Sequence, residues 1–147
     1  MMWDRFIGKA ICLDTNILIF AVEAREPWSS QLRPLFQEFD RGSIRGVASE
    51  ISIAETLAKP IALADGAQLD SFQELFASDS AIEMYPINRA VLTLAAELRG
   101  RSRFKLFDAI HVATAQLARC DYFLTQDERL GRALADQPKW LKLSEII

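Results

Sequence analysis

The 147-residue sequence holds a single histidine, two cysteines, six glycines and five prolines. Two cysteines far apart, Cys12 and Cys120, do not make a disulfide framework. Their apolar settings, AICLD and LARCDYFL, predict buried free thiols in a reducing compartment. One histidine and no cysteine pair at ligand spacing leave a zinc site poorly supplied. Long apolar runs are also missing. The longest stretch free of Asp, Glu, Lys and Arg is ten residues, 109–118, against the ~20 that a membrane-spanning helix needs. The opening MMWDRFIGKA lacks a basic stretch followed by an apolar run of signal-peptide type. The expectation is a cytoplasmic protein with no membrane contact. A surplus of basic charge is absent as well: the net charge is −3 and the pI about 5.2. Taken alone, that speaks against gripping nucleic acid by bulk charge.

What is present is the balance of a globular protein, half hydrophobic and a quarter charged. No repeat or low-complexity linker divides the chain, so one domain over 1–147 is expected. Short, mainly apolar runs at 10–13, 44–48, 121–124 and 140–143, and the alternating stretch 81–85, read as strands. Helical spacing marks 17–22, 28–39 (ended by Gly42), 50–58 (capped by Ser49, closed by Pro60), 69–76, 89–99 (capped by Asn88), 106–118 and 128–134. Inward faces are expected at Ile51, Ala54 and Leu57, at Val91, Leu92, Ala95 and Leu98, and at Ile110, Val112, Ala113 and Leu117. Strand and helix alternate nearly throughout, the pattern of an α/β fold with a central, mostly parallel twisted sheet between helical layers. Ligands of such sheets bind beyond the carboxyl ends of the strands.

Four acids stand where folding can bring them to that edge. Asp14 follows the first strand. Glu55 lies six residues past Ser49, in the helix after the second. Asp108 opens the most apolar helix, and Asp127 comes three residues after DYFL. Each has a plain alternative as a helix cap or a solvated helix residue. Together they carry more weight, because like charges ~4 Å apart cost about 4 kcal/mol at an effective dielectric of 20. Converging carboxylates therefore call for a counter-cation, and hard oxygen ligands select Mg²⁺ or Mn²⁺. Such ions activate water and stabilise the leaving oxygen in phosphodiester cleavage.

LDTN at 13–16, SIAE at 52–55, FDAIHVATA at 107–115 and LTQDERL at 124–130 resemble, in order, the four motifs of a PIN domain. The resemblance is closest to the small stand-alone ribonucleases of VapC-type toxin–antitoxin pairs. It implies a PIN-like three-layer fold and a Mg²⁺- or Mn²⁺-dependent endoribonuclease. It also implies Asp14, Glu55, Asp108 and Asp127 as metal-binding and catalytic acids. Implied partners are RNA, a cognate antitoxin and a second copy in a homodimer or higher assembly. The alternative within the family is a solitary or non-catalytic module that binds RNA or protein. Phosphoryl-transfer α/β domains fit less well. The dehalogenase-like phosphatases want an acid or threonine where this chain has Asn16, and receivers want an acid pair and a late lysine that are missing.

Substrate contacts are expected around the acids. Asn16 and Thr125 offer neutral hydrogen-bonding groups. Arg99, Arg101, Arg103 and Lys105 alternate in RGRSRFK, the one dense basic cluster, directly before the Asp108 helix. Arg101, Arg103 and Lys105 suit an RNA backbone, and Phe104 is either a base-stacking platform or a core residue. His111 lies one turn after Asp108 but has no partner tied to it by sequence, so a structural, hydrogen-bonded histidine is expected.

Overall fold

The computed structural model describes residues 2–146. Its strands are β1 (Ala10–Leu13), β2 (Arg45–Ser49), β3 (Ile82–Tyr85), β4 (Tyr122–Leu124) and β5 (Lys139–Leu141). All neighbours are parallel, in the order β3-β2-β1-β4-β5. The helices are α1 (Thr15–Val22), α2 (Trp28–Arg41), α3 (Ile51–Ala62), α4 (Gly66–Phe76), α5 (Arg89–Arg101), α6 (Leu106–Leu117) and α7 (Glu128–Ala133). The α/β reading of the sequence therefore holds, strand for strand.

The short apolar runs are strands because both sheet faces are covered. Along β1 the side chains alternate. Ile11 and Leu13 enter one core with Leu32, Leu35 and Phe39 of α2, while Ala10 and Cys12 enter the other with Val91 of α5 and Ala113 of α6. The sheet is thus the middle of three layers. Cys12 and Cys120 are both buried and free. A hydrogen bond with Cys120, together with burial, pushes the Cys12 thiol well above its ordinary value, so it resists ionisation.

Several helix limits differ from the sequence pattern, each for a local reason. Gly42 ends α2 as expected, in the left-handed region with φ 72°. Pro60 does not close α3, which runs on to Ala62. The proline ring is buried, and its carbonyl accepts the Asp65 N–H at 2.9 Å, so the neighbouring backbone stays paired. Ser49 Oγ accepts the Ile51 N–H, although the capping position itself is Glu50. The basic stretch is only partly a connector, since α5 continues through Arg101.

Three expected core faces also turn out differently. The buried face of α3 is Ser52, Thr56 and Pro60, and the apolar stripe with Ala54 turns outward. Leu92 and Leu117 are exposed. The inward side is taken by Ser52 and Thr56 in α3, by Val91 and Ala95 in α5, and by the 109–115 stretch in α6. Among the described residues, no helix is long and apolar enough to cross a membrane.

One close approach ties the sheet edge to α7. A Cβ on Gly131 would fall inside the Trp140 indole, whose Nε1 donates to the Thr125 carbonyl at 3.0 Å. Gly131→Ala should therefore overpack this contact and destabilise the fold by about 2 kcal/mol. Urea unfolding measures it. An unchanged midpoint would show that Trp140 can move aside freely.

Candidate active site

The strand order reverses direction between β1 and β4, since β2 and β3 lie on one side of β1 and β4 and β5 on the other. Crevices at such a reversal are where open parallel sheets hold ligands. Asp14 and Thr125 are the first residues past β1 and β4, and Asp14 N–H donates to the Leu124 carbonyl at 3.0 Å. Leu13 pairs with Leu124, so the two strands end level.

Asp14 is both a helix cap and a buried acid. Its Oδ1 accepts the Thr15 N–H at 2.8 Å, and its Oδ2 accepts the Thr125 hydroxyl at 2.7 Å. Burial pushes the Asp14 carboxyl above the ordinary aspartate range. The charge of His111 and the bonds from Thr125 and Thr15 oppose the rise without cancelling it, and Asp108 adds to it.

Glu55 reaches the same edge from α3. Its Oε1 accepts the Thr15 hydroxyl at 2.8 Å and lies 2.9 Å from His111 Nε2. Burial pushes the Glu55 carboxyl up, but the bonds from His111 and Thr15 and the charge of His111 outweigh it, and the group sits below the ordinary glutamate value. Ser52 Oγ stands 2.8 Å from the Thr15 hydroxyl, completing a small polar cluster between α1, α3 and α6. Among the described residues, His111 Nδ1 is buried without a partner. Nε2 is the ring nitrogen that meets Glu55, and it donates there because an ionised carboxylate only accepts. The structural reading of His111 thus holds, but it is a structural residue of this site. Spacing alone did not reveal its tie to Glu55, 56 residues away.

Asp108 and Asp127 meet on the other side. Asp127 caps α7, with Oδ1 accepting the Arg129 N–H at 3.0 Å and the Leu130 N–H at 3.2 Å. Thr125 Oγ accepts the Asp127 N–H at 3.0 Å, so one threonine links Asp14 to Asp127. Arg129 Nη2 lies 2.7 Å from Asp108 Oδ2 and 3.4 Å from Asp127 Oδ2. The Asp108 hydrogen bond and charge raise the Arg129 guanidinium above its ordinary value. Nothing in the sequence pattern singled out Arg129.

One acid of each pair, Glu55 and Asp108, lines a cleft of about 440 Å³ together with Lys105, Leu106, Phe107 and Arg129. Lys105 is the expected basic residue that reaches it. Arg101 and Arg103 are exposed outside the cleft lining, and Asn16 is exposed on α1. Phe104 turns into the core at 7 % exposure, which removes it as a stacking platform, while Phe107 is 49 % exposed at the cleft.

The donor set is made of carboxylate oxygens, the kind a hard divalent cation takes. Asp14 and Asp108 are near enough for one charge to raise the other carboxyl. Among the described residues, no three His, Cys, Asp or Glu side chains yet converge as a metal cage. Arg129 binds two of the four carboxylates instead. The donors fit in kind, with Asp14, Glu55, Asp108 and Asp127 the residues that would hold the ion.

A family model described as PIN domain matches residues 11–134. The chain belongs to the PIN-domain family. A search of the curated proteins gives no match. Among solved structures, the chain resembles DNA-bound VapBC from Salmonella typhimurium, with 15 % identity and a TM-score of 0.72, covering 92 % of this chain and 98 % of that one. It also resembles a toxin–antitoxin complex from Klebsiella pneumoniae, with 23 % identity and a TM-score of 0.68 over 92 % and 99 % of the two chains. FitAcB from Neisseria gonorrhoeae gives 16 % identity and a TM-score of 0.68 over the same shares. At these identities the likeness is one of fold: the PIN architecture is present over nearly the full length of each.

Asp14 predicts an inverted pH dependence of stability. Between the ordinary aspartate value and the raised one, the folded state keeps a proton that the unfolded chain has lost. The contribution of Asp14 to stability therefore falls as pH rises across that window. Asp14→Asn, melted in EDTA, should be as stable as the parent or more so at pH 7, with the gap closing towards pH 4. A variant less stable at pH 7 than at pH 4, relative to the parent, would contradict the raised carboxyl.

Proposed function

We propose that this PIN domain is a divalent-metal-dependent endoribonuclease and the toxin of a toxin–antitoxin pair. The observation that carries the reading is that four acids from four separate motifs stand near the reversal point of the sheet in two pairs, Asp14 with Glu55 around Thr15 and His111, and Asp108 with Asp127 around Arg129. Asp14, Glu55, Asp108 and Asp127 would hold a Mg²⁺ or Mn²⁺ ion, which would supply an activated water and a charge for the leaving oxygen. Thr125 and Thr15 orient Asp14 and Glu55 by their hydroxyl bonds, and His111 and Ser52 keep Thr15 and Glu55 in place. Exclusion of water around Asp14 strengthens every charge interaction it makes.

The RNA lies across the cleft on this reading. Lys105 contacts a phosphate, Arg101 and Arg103 extend the basic rim, and Asn16 offers a hydrogen bond near the acids. Thr125, fully buried with its hydroxyl engaged by Asp14 and the Asp127 N–H, orients the acids and does not touch RNA. Phe107, beside Asp108, takes the stacking role that Phe104 cannot. An unpaired base on an aromatic ring gains about 1–3 kcal/mol. Phe107→Ala should therefore weaken binding of a single-stranded oligoribonucleotide about tenfold while leaving a perfect duplex little changed. Equal loss on both, measured by fluorescence anisotropy, would reject stacking.

The solved neighbours include toxin–antitoxin complexes, which supports an antitoxin partner. A surface for protein contact is at hand on α3, where Ile53, Leu57, Ile61 and Ile87 line an open apolar groove of about 610 Å³. Ile61 alone is 62 % exposed, and open apolar patches of this kind mark interaction sites. A homodimer is the second assembly this face suits.

Cleavage of total RNA is the direct test. EDTA should abolish it, and Mn²⁺ or Mg²⁺ should restore it. The Asp14→Asn, Asp108→Asn double variant should lose at least about a hundredfold in rate with its fold intact. Parental activity in that variant would overturn the assignment.

A further inference from the structure

Arg129 is placed oddly for a residue that only stabilises its own helix. It lies in the first turn of α7, at the end where a cation is disfavoured by the helix dipole. A single nitrogen, Nη2, contacts both Asp108 and Asp127. Among the described residues, Nε and Nη1 make no hydrogen bond, and half of the side chain is exposed. The guanidinium therefore balances two acids with one corner while its fork stays open to the cleft. The two acids it holds come from different elements, α6 and the cap of α7, so it joins them without being part of a helix-surface pair.

We propose that Arg129 is a resident counter-ion that exchanges with the divalent cation and then binds an RNA phosphate. This rests on the metal-dependent RNA cleavage proposed above. With no ion present, the guanidinium offsets the repulsion between Asp108 and Asp127. A divalent ion entering those carboxylates supplies more charge than one guanidinium and repels it. Arg129 then leaves the acids for the cleft, where its planar fork matches the two oxygens of a backbone phosphate. The residue thus serves both states of the site, and its two effects have opposite signs. Loss of the charge eases metal entry and weakens RNA. A purely structural tie between α6 and α7 would weaken both.

The test uses the full chain, Arg129→Gln and Arg129→Lys. Mn²⁺ binding, read from the paramagnetic resonance of free Mn²⁺ without RNA, should tighten about two- to fivefold in Arg129→Gln, the upper range of a partly exposed ion pair. Arg129→Lys should fall between Arg129→Gln and the parent. At saturating Mn²⁺, a 2′-O-methylated single-stranded RNA should bind Arg129→Gln about tenfold more weakly. Unchanged or weaker Mn²⁺ binding in Arg129→Gln, with the parent binding Mn²⁺ normally, overturns the exchange and leaves the nuclease reading standing. Tighter Mn²⁺ binding with unchanged RNA affinity overturns the phosphate role. If neither parent nor variant binds Mn²⁺, the metal reading falls and the exchange falls with it.

Discussion

Repulsion between carboxylates is the constraint around which this molecule is arranged. Two unit charges ~4 Å apart oppose each other by about 4 kcal/mol at an effective dielectric of 20, and the sheet edge gathers four acids. The chain settles them in pairs. Asp14 and Glu55 are held by hydroxyls and a histidine, through Thr125, Thr15 and His111. Asp108 and Asp127 are held by a cation, Arg129. The first solution is built on hydroxyl and imidazole bonds around Asp14, the one acid of the four that is buried. The second rests on a guanidinium that is itself half exposed and so is free to change partner.

The scaffold makes this gathering possible at little cost to itself. Every strand is short and parallel, and β1 to β4 each lead within a few residues into a helix, with unpaired backbone N–H groups and room for a cap. Asp14 and Asp127 use that room: each caps a helix with one oxygen and presents the other to the site. Cap and site residue are therefore not competing descriptions here. The carboxylate has two oxygens, and the fold employs both. The raised Asp14 carboxyl shows the limit of the arrangement, because two hydroxyl and amide bonds do not fully offset its burial.

Much of this was legible in the residue pattern. Short, mainly apolar runs marked the strands, because a sheet covered on both faces leaves few polar positions, and the charges that do interrupt them, such as Arg45 in β2 and Glu83 in β3, are exposed and paired with each other. The position of the acids just past those runs marked the edge. What stayed hidden depended on which side of a helix faced inward. In α3 the larger side chains, Ile53, Leu57 and Ile61, turn outward, and Ser52 and Thr56 pack in because Ser52 must reach Thr15. Helical periodicity cannot separate an apolar stripe that packs from one that waits for a partner. Phe104 and Phe107 exchanged places for a related reason: three residues apart, they straddle the start of α6, and only the connector geometry decides which one is covered. His111 and Arg129 were invisible in their roles because their partners are distant in sequence or lie in another element.

Net charge was the least informative quantity of all. The chain carries −3 overall, and setting aside the four site acids leaves +1. Those acids are partly covered and each has a hydroxyl, histidine or arginine partner, which softens their repulsion of RNA. The cations meanwhile stand at or near the cleft rim, with Lys105 lining it and Arg129 bridging it. A polyanion approaching this edge meets guanidinium and ammonium groups before it meets carboxylates. The sign of the local field is then set by occupancy: an ion on the acids and an arginine released from them both turn the cleft more positive. An acidic protein can in this way present a nucleic-acid-binding face, provided its acids are spent on one another's neighbours rather than on solvent.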